Sequence, residues 1–425
     1  MMNITDLNKS LAETITPNAI GAASVNEVNK VKNDIGTLSS LQTENKSTIV
    51  AAINELLLKI VEQKESDIKQ IACGEYHAMM LKKDGTLWAC GYNCNGQLGL
   101  GDYQDRLVFT QVLDNNINNN VTQVACGQYH TAIITDDGSV WTCGYGHAGQ
   151  IGLSDSSSLV FQCNNDIFGA RSIACGYSHT MAIDYNNELW VCGANSNGQL
   201  GLGDTNNRYF FTKNNDIDYP EKVYCAGNYT YILSNTTVYC CGNNSYGQLG
   251  QPSNEVPYLT TFTQVLAGIK QIACGLGHVI ALNENDSIAS TGRNDKGQLG
   301  LGDTYNRECF EYVITNINND VDQVICGQYH TFIIKNDRSL WACGSNNYGQ
   351  LCTGNNDYEN HLIFEQVTGS NINDILNVYG GLQYTFIEKT DGSVFAAGAN
   401  NYGVLGSNDR AEKDELIQIK QRYKK

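Results

Sequence analysis

Histidine is the side chain best suited to proton transfer near neutral pH, and this chain has 7. Five of them end one recurring phrase: Cys73-Gly74-Glu75-Tyr76-His77, Cys126-Gly127-Gln128-Tyr129-His130, Cys175-Gly176-Tyr177-Ser178-His179, Cys274-Gly275-Leu276-Gly277-His278 and Cys326-Gly327-Gln328-Tyr329-His330. A catalytic histidine is singular and has partners of its own. One that recurs this way is placed for a hydrogen bond that every copy needs. Tyr229 and Tyr384 hold the same position in two further copies. His147 and His361 stand outside the register, with no nucleophile or carboxylate constellation beside either. The chain is therefore read as non-enzymatic, with no catalytic and no cofactor-binding residue. The enzymatic alternative, glycan hydrolysis, needs two carboxylates about 5–10 Å apart in one cleft.

The 16 cysteines carry the same message. Cys73, Cys126, Cys175, Cys225, Cys274 and Cys326 precede the anchor position of the phrase, and Cys90, Cys143, Cys192, Cys241 and Cys343 fall in the next predicted strand. Reduced cysteine packs as a small apolar group, and this placement predicts core filler. There is no Cys-x-x-Cys pair to start a zinc site. Asp184, Asn186 and Glu188 alternate as in some calcium loops but lack the remaining ligands, so no metal is assigned. Asp102/Arg106, Asp204/Arg208 and Asp303/Arg307 recur four residues apart and are expected to tie one repeat to the next. Tyr103, Tyr209, Tyr305 and Tyr358 fall in predicted loops between repeats. They are the weak candidates for a ligand-binding surface, because exposed aromatic rings stack on sugars; packing between repeats is the competing role.

These residues are positioned by a repeat. Its anchor falls at residues 74, 127, 176, 226, 275, 327 and 381. A period near fifty marks a repeat architecture. Within residues 109 to 153, Phe109–Val112, Val121–Cys126, Thr131–Thr135 and Ser139–Cys143 read as short strands. Asp136-Asp137-Gly138 supplies a tight turn, and a glycine-rich loop closes the unit. Four short strands cannot bury both faces alone, but stacked radially each sheet covers its neighbour. The expected fold is mainly β: a seven-bladed propeller of four-stranded antiparallel blades over residues 67–425. The Phe109–Val112 motif recurs up to Leu416-Ile417-Gln418-Ile419. No such strand precedes Ile68, so the C-terminal copy, 416–419, is expected to complete blade one and close the ring.

The glycine loop Gly91-Tyr92-Asn93-Cys94-Asn95-Gly96-Gln97-Leu98-Gly99-Leu100-Gly101-Asp102, repeated from Gly193 and Gly292, together with Cys-Gly-x-x-His-Thr, resembles the regulator of chromosome condensation repeat. The resemblance covers about 360 residues and implies a seven-bladed propeller. It also raises a nucleotide-exchange role on a small GTPase. Against this, no step of the repeat is long enough for a wedge-like insertion. The net charge of −17 opposes contact with a phosphate backbone, so no nucleic-acid partner is expected. The one basic cluster, Lys420 to Lys425, reads as a solvated terminus.

The first 66 residues differ in kind, containing no Cys, Trp, Tyr, Phe or His. They lack a secretory signal, and no stretch of the chain reaches the ~18 apolar residues of a membrane span. Residues 47–63, within an expected helical stalk of 47–66, read as a helix with Ser47 as its N-cap, and Ile49, Ile53, Leu56 and Ile60 are spaced 4, 3, 4, the seam of a short coiled coil. Packing of that stripe on the propeller itself is the alternative. Ile15 to Ala23 and Asn45-Lys46-Ser47-Thr48-Ile49-Val50-Ala51-Ala52-Ile53-Asn54-Glu55-Leu56 resemble attachment and stalk segments of bacteriophage tail fibres and baseplate appendages. That resemblance implies a homotrimer. Residues 1–46 would attach it to other tail or baseplate proteins, and the propeller head would bind a host cell-surface glycan or protein. Such a protein is made in the host cytoplasm and resides in the virion, without membrane insertion or cofactor. The alternative function is a cytoplasmic interaction scaffold or small-GTPase regulator.

Overall fold

The computed structural model describes residues 66–419 except 115, 116, 118, 119, 315, 316, 318, 319, 355, 356 and 370. The expected attachment segment 1–46, the seam Ile49, Ile53, Leu56 and Ile60, and the cluster Lys420 to Lys425 lie outside the described residues. Among those described there is no helix. Twenty-eight strands form seven four-stranded antiparallel sheets, each built from consecutive strands.

Blade one is β1 (Ile68–Cys73), β2 (His77–Lys82), β3 (Leu87–Gly91) and β4 (Arg106–Gln111). Blade two is β5 (Val121–Cys126), β6 (His130–Thr135), β7 (Val140–Gly144) and β8 (Ser158–Cys163). Blade three is β9 (Ala170–Cys175), β10 (His179–Asp184), β11 (Leu189–Gly193) and β12 (Arg208–Asn214). Blade four is β13 (Lys222–Ala226), β14 (Tyr229–Ser234), β15 (Thr237–Asn243) and β16 (Tyr258–Leu266). Blade five is β17 (Ile269–Cys274), β18 (His278–Asn283), β19 (Ile288–Gly292) and β20 (Arg307–Tyr312). Blade six is β21 (Val321–Cys326), β22 (His330–Lys335), β23 (Leu340–Gly344) and β24 (His361–Gln366). Blade seven is β25 (Ile375–Gly380), β26 (Tyr384–Lys389), β27 (Val394–Gly398) and β28 (Lys413–Gln418).

This order corrects the expected closure. The Phe109 strand is the last strand of blade one, pairing with β3 through Trp88↔Gln111 and Gly91↔Arg106. The C-terminal strand likewise completes blade seven, pairing Phe395↔Gln418 and Gly398↔Lys413. Among the described residues no strand crosses from one end of the chain into the other's blade. Ring closure is made by side chains and by a backbone bond, Asn408 N to Leu107 O at 2.8 Å. Ile71, Met80 and Phe109 of blade one pack against Tyr384, Phe386 and Ala396 of blade seven, with Leu405 and Ile419. The Tyr384 hydroxyl donates to the carbonyls of Gly74 and His77 at 2.9 Å each. Arg410 pairs with Asp105 at 3.0 Å.

The second strand of each blade is buried along its length, save Ser234 and Asn283 at the ends of β14 and β18, because its sheet is covered on both faces. In β2, Ala78 and Met80 face blade seven, while Met79 and Leu81 face blade two. Each blade-to-blade interface has one apolar cluster of this kind. The innermost strands would present open edges to the central channel, a liability in any sheet. Glutamines cover them: the Gln70 amide donates to Val124 O at 2.8 Å, and Gln271 does the same to Val324 O at 3.0 Å.

The meander fixes two faces. The turns between first and second strands share one face with the glycine-rich loops between third and fourth. The β2–β3 type hairpins and the blade-to-blade loops occupy the other. Ser66, where residues 1–65 join the ring, enters on this second face, as β28 leaves on it.

Candidate functional site

The recurring histidines are structural. His77 Nε2 lies 2.9 Å from Thr131 Oγ1 of the next blade, and that hydroxyl donates to Gln97 O at 2.7 Å. The threonine proton is therefore spent, so the ring donates from Nε2 and leaves Nδ1 bare. The same relay runs His130–Thr180, His179–Thr230, His278–Thr331 and His330–Thr385. Burial pushes all five imidazoles down to about 3, so they are neutral. Nδ1 lies against the anchor glycine: a Cβ on Gly127 would sit 2.4 Å from His130 Nδ1. Tyr229 and Tyr384 perform the same bridging with hydroxyls, Tyr229 donating to Gly275 O at 2.6 Å.

The Asp–Arg pairs stay within one blade, which corrects their expected role. Arg106 Nη2 is 2.7 Å from Asp102 Oδ2, and Asp102 also accepts from Asn93 and the Gln104 amide. Each pair clamps the glycine-rich loop to the start of its own fourth strand; Arg208–Asp204 and Arg307–Asp303 repeat it at 2.6 Å. Contact with the next blade comes instead from loop backbone, as in Gly101 N to Leu159 O at 3.0 Å. Asp184 closes a hairpin, accepting from the amides of Asn186 and Glu188 and from the Trp190 indole. Among the described residues no group of histidine, cysteine, aspartate and glutamate is placed to hold a metal ion.

Tyr103 and Tyr305 are strongly exposed in the β3–β4 and β19–β20 loops, and Tyr358 is exposed between β23 and β24. Tyr209 lies on strand β12 rather than in a loop. The four come from different blades, and no ring contact joins them among the described residues.

A different set of tyrosines does converge. On the first face, around the channel mouth, Tyr76, Tyr92 and Tyr402 form one cluster. Centroid separations are 6.1 Å for Tyr76–Tyr92, 5.1 Å for Tyr76–Tyr402 and 4.6 Å for Tyr92–Tyr402. Tyr129 stacks on Tyr76 at 6.3 Å. On the same face Arg293 lies 5.0 Å from the rings of both Tyr246 and Tyr329. Asp295 holds that guanidinium through two bonds, at 2.6 and 2.9 Å. Tyr177 donates across the mouth to Gln328 at 2.9 Å. Beneath lies a cavity of about 100 Å³ lined by Glu75, Gln128, Tyr177, Leu276 and Gln328 among others. Burial raises the Glu75 carboxyl above its ordinary value, against the opposing bonds from Tyr76 and Gln128.

Sequence reasoning passed over this surface, though a signal was present. The position after the anchor reads Glu75, Gln128, Tyr177, Gly227, Leu276, Gln328 and Leu382. The anchor before it is glycine in six copies of seven and the residue two positions after it is histidine or tyrosine in all, whereas this position and the one that follows it (Tyr76, Tyr129, Ser178, Asn228, Gly277, Tyr329, Gln383) change from repeat to repeat.

The comparisons agree with the geometry. The RCC1-like domain model matches residues 164–424. The regulator of chromosome condensation (RCC1) repeat matches 84–134 and 137–183, and a second model of that repeat matches 68–97 and 121–150. The chain belongs to the RCC1-like propeller family. It is 32% identical over 349 residues to the ultraviolet-B receptor UVR8 of Arabidopsis thaliana, covering 82% of this chain and 56% of the receptor. It is 32% identical over 301 residues to the human X-linked retinitis pigmentosa GTPase regulator, covering 71% of this chain and 25% of the regulator. The chain thus spans about half or less of these relatives. Yeast RCC1 (Prp20), solved bound to Kap60, superposes with a TM-score of 0.71 at 16% identity, over 85% of this chain and 87% of that one. The matched residues begin at 68, so the tail-fibre resemblance of the preceding segment gains no family support.

Proposed function

We propose that this protein is a non-catalytic interaction module that docks a protein partner on the tyrosine-rich face. The observation that carries the reading is the convergence of Tyr76, Tyr92, Tyr129 and Tyr402 from three blades into one half-buried cluster. Tyrosine is enriched at interface cores, where it supplies area and a polar tip at low entropic cost. Relatives named as a receptor, a GTPase regulator and a probable ubiquitin ligase match most of this chain, and a fold shared by proteins of such different names supports a reading in which it presents a surface rather than one chemistry. This favours the interaction-scaffold alternative over the tail-fibre reading. The test compares proteins captured by wild type, by a Tyr92→Ser/Tyr402→Ser variant, and by a Leu113→Ser/Ile314→Ser variant of the opposite face. Specific partners are expected to be lost from the first variant alone; loss from the second alone would reject the assignment.

A second reading, the distal head of a trimeric tail appendage, is favoured by one relationship. Residues 1–65 join the ring at Ser66, on the face opposite the tyrosine cluster, so an anchored arm would point that cluster outward. Native mass measurement separates the two: a trimer of the full chain supports the appendage, and a monomer supports the scaffold.

A further inference from the structure

The strongest unexplained group on the tyrosine-rich face is Glu75. The residue is 8% exposed, it lines the channel mouth, and although Tyr76 and Gln128 bond its carboxyl, among the described residues its Oε2 has no hydrogen-bond partner. A buried carboxylate oxygen without a donor is costly, by more than the net value of an ordinary hydrogen bond. Nothing in the blade requires this residue. The equivalent position holds Gln128, Tyr177, Gly227, Leu276, Gln328 and Leu382 in the other six repeats, and all six fold.

We infer that the mouth around Glu75 is a receptor site for a cationic side chain, an arginine of the docked partner. Three features select that chemistry. The free carboxylate oxygen accepts and does not donate, so the missing group is a donor. The Tyr76 and Tyr129 rings, stacked beside it at an interplanar angle of 24°, present faces that attract a guanidinium. The same surface already holds its own guanidinium in this way, Arg293 between Tyr246 and Tyr329 with Asp295 as counter-charge. Around Glu75 the rings and the carboxylate are present and the cation is missing. The net charge of −17 favours approach of a basic partner at low salt. Neutral sugar hydroxyls would also donate to Oε2, but they would leave the carboxylate without a counter-charge in a desolvated mouth.

This inference rests on the docking reading above, and its test is chosen to fail separately. N-acetyl-arginine amide is titrated into the full chain by calorimetry, beside its uncharged isostere N-acetyl-citrulline amide and beside N-acetylglucosamine. Saturable arginine binding is expected, at least about tenfold tighter than citrulline and weakened at least about tenfold by Glu75→Gln. Gln is the residue of two sister blades, so this variant folds; Tyr76→Leu is the second variant and must weaken arginine binding as well. Equal binding of citrulline, no binding, or a response unchanged in Glu75→Gln overturns the inference. Sugar binding lost in Glu75→Gln overturns it in favour of a glycan site. Partner capture that survives Glu75→Gln but not Tyr92→Ser/Tyr402→Ser leaves the docking face standing while rejecting the arginine.

Discussion

The Tyr384 hydroxyl lies 2.9 Å from the carbonyl oxygen of Gly74, 310 residues earlier in the chain. It is the polar latch of a ring that no shared strand closes. Tyr384→Phe leaves the Gly74 and His77 carbonyls one donor short and should cost about 1–3 kcal/mol. Tyr229→Phe removes the equivalent bond to Gly275 O and His278 O between two blades that are also joined by continuous chain. Urea melts of both variants should show the larger loss, or an earlier opening of blades one and seven, for Tyr384→Phe. Identical melts would mean that the Tyr384 hydroxyl counts no more at the closing interface than Tyr229 does at an interior one.

The buried histidines make the ring acid-sensitive. Their folded values lie near 3 because burial disfavours the charged ring, whereas the unfolded value is about 6.5. Between those limits the unfolded chain binds protons that the folded chain refuses. Stability is therefore full above about pH 6.5 and falls with decreasing pH, by up to about 1.4 kcal/mol per unit for each histidine. Asp102, Asp204 and Asp303, held below the usual carboxylate value first of all by their arginine hydrogen bonds, add to the loss only at lower pH. Urea melts at several pH values between 7.5 and 4.5 test this. His179→Gln keeps a donor toward Thr230 but does not titrate, so it should flatten the pH slope whatever it does to stability at pH 7.5.

The anchor glycine is required by space rather than by dihedral freedom. A Cβ on Gly127 would lie 2.2 Å from His130 Cε1 and 2.6 Å from Gly176 O in the next blade. Gly127→Ala must displace either the ring of the relay or the neighbouring blade, at about 1–3 kcal/mol or more. Ala226 occupies this position in blade four, where Tyr229 replaces the histidine. A Gly127→Ala/His130→Tyr double variant is thus expected to recover part of the loss, and a double-mutant cycle measures how much.

These positions also mark what the sequence makes legible. Repeat number, strand count, the structural role of the histidines and the burial of Cys90, Cys143, Cys192, Cys241 and Cys343 follow from residues that recur, because each copy solves the same packing problem. Of the six cysteines before the anchor, also expected as core filler, Cys175 is buried and the other five are half-buried beside the central channel. Phase does not follow. Four strands in a cyclic repeat can be cut at any connection, and the long glycine-rich loop after Gly91 looks like a blade boundary by length alone. Asn93 removes that boundary by folding the loop onto itself, donating to Asp102 O at 2.8 Å and accepting from Leu98 N at 3.0 Å, so that β4 pairs with β3. The tyrosine cluster was hidden for a different reason. Tyr76 and Tyr402 are 326 positions apart and meet only because the ring closes.

Thiol accessibility ties the fold to the proposed face. All sixteen cysteines are free, and only Cys94 and Cys309 are exposed. Burial pushes the thiols of Cys73, Cys175 and Cys326 up to about 12, which suppresses the reactive thiolate. A maleimide should therefore modify Cys94 and Cys309 rapidly in the native protein and all sixteen in guanidinium, as counted by intact mass. Cys94 donates to the Tyr92 hydroxyl on the tyrosine-rich face, whereas Cys309 lies on the outer strand β20. A bulky adduct at Cys94 should block partner capture. In a Cys94→Ser variant the same reagent labels Cys309 and should leave capture intact. Capture indifferent to the Cys94 adduct would move the docking surface off this face, and adducts at the buried Cys90, Cys192 or Cys343 without denaturant would mean that the blades open in solution.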